Sequence, residues 1–275
     1  MPFIRFFIDK YFVVKKKNPS KTRLINPCVT LRKNASGCLA FSGRITDGES
    51  AEPHQFPYQV SIVWGIPPLI KYRHVCGGSI LNEDWVLTAG HCVTELPKIG
   101  RMGVHVAFPK INRAPNVHSG VAQHDIALLK LKTPLVFNDN VAPVKLPSAD
   151  KIHSGEVVLS GWGSVSKKLL PVLPTVLQTA KMPLVDTESC AEAYYGVAGD
   201  AEIFDTQVCT GPLGGSVSAC SGDSGGPLVQ YNEDGVPEQV GIVSWGSYPC
   251  GVSGMPSVYT RVSSYVDWIN RKLQA

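Results

Sequence analysis

With 275 residues, 44% of them hydrophobic, the chain can bury a full core, and its 26 glycines and 21 prolines point to many short strands and turns, favouring an all-β fold. The net charge of +4 is uneven: residues 1–44 carry ten Lys/Arg against one acid and the remainder 16 against 21, so the body of the protein stands at about −5. Eight cysteines without a C-x-x-C pair argue against a zinc ribbon or redox site and for an oxidising compartment.

In chain order, the first fourteen residues, MPFIRFFIDKYFVV, are apolar but broken by Arg5, Asp9 and Lys10. They make a poor signal peptide and are too short to span a membrane. The basic cluster Lys15, Lys16, Lys17 reads as a solvated leader removed on maturation. No base-stacking aromatics or nucleic-acid motif accompany it, so no nucleic-acid partner is expected. Asn34-Ala35-Ser36 is a glycosylation sequon in the same leader. Alternation marks strands at residues 59–64 and 239–243. Residues 102–108 read as one more strand, after which residues 109–123 run almost directly into His124-Asp125 and the apolar strand behind it. The one good helical pattern is terminal: Tyr265, Val266, Trp268, Ile269 and Leu273 recur at helix-like spacing after the cap candidates Ser263 and Ser264.

Three segments carry chemistry. The run Ala219-Cys220-Ser221-Gly222-Asp223-Ser224-Gly225-Gly226-Pro227 presents a serine on a turn whose small residues let the N–H groups of Gly222 and Ser224 converge, the geometry that stabilises a developing oxyanion. Thr88-Ala89-Gly90-His91-Cys92 offers an imidazole, and Asp125 a carboxylate. A serine hydroxyl is a weak nucleophile until an imidazole takes its proton, and the imidazole needs a carboxylate to fix its tautomer and steady its charge. His91, Asp125 and Ser224 fit those roles.

With these segments in the order His, Asp, Ser, and with Cys76-Gly77-Gly78-Ser79, Gly161-Trp162-Gly163, Val243-Ser244-Trp245-Gly246 and Pro256-Ser257-Val258-Tyr259-Thr260-Arg261-Val262 in register, the chain resembles the chymotrypsin-like serine endopeptidases from about Ile45 to the C-terminus. The resemblance implies two antiparallel six-stranded β-barrels with a C-terminal helix, residues 1–44 as a leader or propeptide, and residues 45–275 as the protease domain. It implies disulfides Cys76–Cys92, Cys190–Cys209 and Cys220–Cys250, and leaves Cys28 and Cys38 to bridge each other or another chain.

It also implies activation by a trypsin-like protease after Arg44, whereupon the new ammonium of Ile45 pairs with Asp223 and shapes the oxyanion hole and pocket. His74 stands where related zymogens hold this aspartate before cleavage. Asp47 occupies a position where the family usually has glycine, and Asp tolerates unusual backbone angles better than most residues. At the floor of the primary pocket the resemblance puts Ser218, with Gly246 at the entrance and Ser257 on the second wall. With no carboxylate to meet a cation, cleavage is expected after Leu, Met, Phe or Tyr, with small apolar residues as the alternative.

Only 34 residues separate His91 from Asp125, ten or more fewer than in relatives. The expectation is therefore a first barrel short of one or two strands, with an exposed edge near residues 104–108 and no calcium site. The function that follows is a secreted, monomeric serine endopeptidase without metal or cofactor. Its partners are protein or peptide substrates, an activating protease and protein protease inhibitors. The competing reading is a non-catalytic homologue that serves as a binding module.

Overall fold

A computed structural model describes residues 5–13, 45, 47–97, 99–106, 123–166, 170–195, 201–215 and 217–274. The sequon at Asn34, Cys28, Cys38 and Arg44 lie outside them. Among the described residues, thirteen strands build two antiparallel sheets. The first contains β1 (Arg5–Val13), β3 (Gln59–Ile66), β4 (Ile70–Ile80), β5 (Trp85–Thr88), β6 (Arg101–Val106) and β7 (Ala127–Leu131), closed into a barrel in the order β1-β6-β3-β4-β5-β7.

The second sheet contains β2 (Glu49–Ser50), β8 (Glu156–Gly161), β9 (Gln178–Val185), β10 (Gln207–Thr210), β11 (Pro227–Tyr231), β12 (Pro237–Trp245) and β13 (Ser257–Arg261). Its order is β10-β13-β12-β11-β8-β9-β2, and β10 also pairs with β9, so the sheet curls back on itself. The all-β architecture with a C-terminal helix expected from the sequence is what forms, the first barrel closed with six strands and the second a curled sheet of seven.

The first barrel corrects one expectation. Instead of an open edge along β6, the chain supplies β1 from its own N-terminal segment, with Arg5, Phe6 and Phe7 opposite His105, Val104 and Gly103. The other side of β1 pairs with β7, from Ile8 opposite Leu131 to Val13 opposite Ala127, with a bulge between Ile8 and Lys10. The short connection from His91 to Asp125 leaves two strand edges whose N–H and C=O groups need partners, and a run rich in Phe, Ile, Tyr and Val is suited to meet them. The expected strand at residues 102–108 is described through Val106, and its last two residues lie outside the described set.

Each layer has its own apolar core. Val60, Ile62, Val86, Leu87, Val104, Ile126, Leu128 and Leu129 fill the first barrel. The C-terminal helix closes its open end: Tyr265 and Ile269 join that core, with Trp268 and Leu273 packed against it. The α-helix spans Val266–Leu273 and follows a 3-10 turn at Val262–Tyr265. Ser263 and Ser264 fall inside this turn, and the cap position is Tyr265 with no side-chain cap bond, so the expected serine cap does not form.

The second core gathers Ile45, Val157, Leu159, Met182, Leu228, Val240, Val243 and Tyr259. A helix unmarked in the sequence reading, Thr187–Tyr194, starts where the Asp186 carboxylate accepts from Ser189 N at 2.8 Å. It carries Cys190 to its bridge with Cys209. All three disulfides implied by the resemblance are present. No helix among the described residues is long and apolar enough to cross a membrane.

Candidate active site

β5 ends at Thr88, and the chain turns into a single helical turn, His91–Thr94, whose first residue projects into the seam between the layers. Two ties hold that turn: Cys92 is bridged to Cys76 on β4, and Thr88 Oγ1 donates to Gly77 O at 2.9 Å. Asp125 stands two residues ahead of β7, anchored from the second sheet by Thr260 Oγ1, which donates to its carbonyl at 2.7 Å.

The Asp125 carboxylate has three donors. His91 N bonds Oδ1 at 2.8 Å, and His91 Nδ1–H and Ser244 Oγ–H bond Oδ2 at 2.7 and 2.6 Å. With Nδ1 protonated, His91 Nε2 is left as the acceptor. Both residues are buried. Burial works to lower the His91 pKa, but the hydrogen bond and charge of Asp125 and the charge of Glu95 carry it above the ordinary imidazole value. Burial likewise works to raise Asp125, and its bonds from His91 and Ser244 outweigh it, holding the carboxylate below its usual range. The sequence offers Ser244 only within the matching segment Val243-Ser244-Trp245-Gly246, and the signal for its role is a polar residue directly after the apolar run at residues 240–243.

Ser224 is half-buried at the mouth of the seam. Its turn is docked on the histidine side by glycine-to-glycine contact: a Cβ on Gly77 would lie 2.8 Å from Gly226 Cα, and Ser224 O accepts from Gly77 N at 2.8 Å. Among the described residues no hydrogen bond joins Ser224 Oγ to His91 Nε2, whose near neighbour is Cys92 Sγ at 3.7 Å. Such bonds commonly tighten only with substrate bound.

Two carbonyls of the turn are engaged from behind. Ser221 O accepts from Ser164 N and Asp223 O from Gly226 N, both at 2.8 Å. In a trans peptide the N–H points opposite the C=O, so the N–H groups of Gly222 and Ser224 are turned away from those partners. Gly222 sits at φ +101°, a region that disfavours any side chain.

Asp223 is buried behind the turn and accepts from Gly163 N at 2.7 Å and Cys220 N at 2.9 Å. Burial pushes its pKa up to about 7, against the lowering effect of those two bonds. His74 does not hold this carboxylate. Its Nε2–H donates to Gly222 O at 2.8 Å and its Nδ1 accepts from Ser61 Oγ at 2.8 Å, and burial lowers its pKa to about 4, so it is neutral. Ile45 is fully buried in the second core at φ +41°, a strained angle for a β-branched residue, while Asp47 adopts φ +64°.

At the pocket positions Ser218 and Ser257 are buried and Gly246 is exposed. A Cβ on Gly246 would meet Ser257 Oγ at 3.9 Å, so the two positions are neighbours. Ser257 Oγ accepts from Ala219 N at 3.1 Å. The one metal-like cluster among the described residues, Cys76, His91 and Cys92, has both sulfurs in a disulfide and offers no thiolate.

A family model described as Trypsin matches residues 45–269. The chain is 38% identical over 243 residues to Trypsin 5G1 of Aedes aegypti, covering 84% of this chain and 85% of that protein. It is 37% identical to Trypsin-1 of Astacus astacus, over 82% of this chain and 98% of that one, and 35% identical to Trypsin of Sus scrofa, over 84% and 96%.

Proposed function

Because this chain belongs to the trypsin family and is a serine endopeptidase, we propose that His91, Asp125 and Ser224 carry its peptide-bond hydrolysis. The observation that carries this reading is the Asp125 carboxylate, which bonds both the ring and the backbone of His91 beside the docked Ser224 turn. Ser224 Oγ attacks the scissile carbonyl carbon as its proton passes to His91 Nε2. Asp125 steadies the imidazolium, and the N–H groups of Gly222 and Ser224 receive the oxyanion. His91 then protonates the departing amine, and water repeats the sequence on the acyl-enzyme.

Cleavage after Arg44 by a trypsin-like protease starts this activity. Three features support that step: the family match begins at Ile45, Ile45 already lies in the second core, and burial raises the pKa of the Asp223 carboxyl to about 7. A free ammonium at Ile45 removes the strained φ and supplies the partner. Ser218, Gly246 and Ser257 form an uncharged pocket suited to Leu, Met, Phe or Tyr, because a cationic side chain would be desolvated there without a carboxylate. Three disulfides favour an oxidising compartment, hence secretion. Substrates are proteins or peptides, and protein protease inhibitors fit the same seam.

Fluorophosphonate labelling after activation tests the assignment. The parent should label at Ser224, and Ser224→Ala should lose both label and turnover by several orders of magnitude. Turnover of that variant within about tenfold of the parent would remove Ser224 from the role.

A further inference from the structure

We propose that residues 5–13 are a permanent strand of the first barrel, so that cleavage after Arg44 yields two chains held together by β1 instead of releasing the leader. This rests on the activation reading above. β1 is hydrogen-bonded on both sides, to β6 and to β7, and without it each would present an unpaired edge. Its last pair, Val13 opposite Ala127, lies two residues from Asp125, so β1 braces the strand that sets the carboxylate.

The six cysteines at residues 76–250 are bridged to one another, so no thiol among them is left to hold the leader covalently. Retention therefore falls to the backbone ladder, a form of β-strand addition in which the strand comes from the same chain.

The test uses the full chain with residues 40–44 replaced by an enteropeptidase recognition sequence, so that one cut frees Ile45 and the other basic residues of the leader are spared. Native mass spectrometry and gel filtration then follow the 1–44 fragment, while N-terminal sequencing and fluorophosphonate labelling follow activation. Expected is a 1:1 species that keeps the fragment until urea is added. A fragment that separates from a fully labelled 45–275 chain would overturn the proposal. A 2:2 species would overturn it as well, since β1 would then come from a second copy.

If the cut chain fails to label but keeps its fragment, the activation reading fails and the strand assignment stands. Phe7→Pro with Tyr11→Pro places prolines in the stretches paired with β6 and β7, opposite Gly103 and Leu129, and should cut the retained fragment by about tenfold or more. Thr22→Pro, outside β1, should not. Should the double variant fail to fold, hydrogen exchange on the parent decides: the amides of β6 and β7 that face β1 should stay protected after the cut, and their rapid exchange would overturn the proposal.

Discussion

At the scale of single residues, the arrangement around Asp125 concentrates charge that water cannot reach. Removing Ser244 Oγ would leave one lone pair of a buried carboxylate unmet, whereas the Nδ1–H bond from His91 sets the tautomer on which proton transfer depends and the bond from its backbone N–H fixes the carboxylate. In the proposed mechanism His91 must be neutral to accept the Ser224 proton, and its pKa is raised, so activity should disappear as pH falls through a value above the ordinary imidazole range. The acid limb of kcat/KM against pH measures it; a limb below that range would contradict the role of Asp125. At the pocket, Ser257 fills space beside Gly246 and bonds Ala219 N. Ser257→Gly should shift preference toward the largest side chains by roughly 10–200-fold per methylene group, read from a positional scan of peptide substrates. Arg or Lys leading in the parent would show that Ser218 does not form the floor.

At the scale of elements, the C-terminal helix belongs to the first barrel although it follows the last strand of the second sheet. Ile269 is fully buried in the first core, so Ile269→Ala in the Ser224→Ala background should cost about 2–5 kcal/mol and lower Tm in calorimetry. A change under about 0.5 kcal/mol would mean that the helix is not packed as described. β1 is the second element placed far from its expected role. Its sequence was legible as an interrupted apolar run, and that description suits a weak signal peptide and a strand with a bulge equally well. Local propensity could not choose, because the deciding term was the pair of edges on β6 and β7, strands far away in the sequence.

At the scale of the whole molecule, catalysis needs two separately packed layers to meet along a polar seam. Ser160 Oγ donates to Gln59 Oε1 and Ser79 Oγ to Gln239 Oε1, both at 2.7 Å, beside the bonds from Ser244 and Thr260 to Asp125. Under the proposed activation, cleavage after Arg44 acts on this seam through Asp223. In the uncut chain its folded pKa is raised to about 7, so its stabilising contribution is full below the unfolded value near 4 and is lost as pH rises through about 7. His74 has the opposite sign: its pKa is lowered to about 4, so its contribution is present above the ordinary imidazole value and is lost as pH falls toward 4. Pairing with the Ile45 ammonium should abolish the Asp223 loss alone. The Tm of the cut Ser224→Ala chain, minus that of the uncut chain, should therefore grow between about pH 5 and about pH 7.5. A difference flat across that range would count against the ion pair.

What the sequence by itself determined was local chemistry: the glycines that let the Ser224 turn curl, the histidine and aspartate in order, the cysteines without metal spacing, the apolar periodicity of the last helix. Each motif is legible in its own short stretch of sequence, where side-chain type and backbone freedom leave few options. What only the tertiary structure decided was pairing at a distance. That Ser244 completes the Asp125 environment, that His74 holds the Gly222 carbonyl and not Asp223, and that residues 5–13 close the first barrel all depend on which unsatisfied hydrogen-bonding groups meet once two cores have packed. A buried polar group must find a partner, but the partner is chosen by the fold and not by the neighbouring sequence.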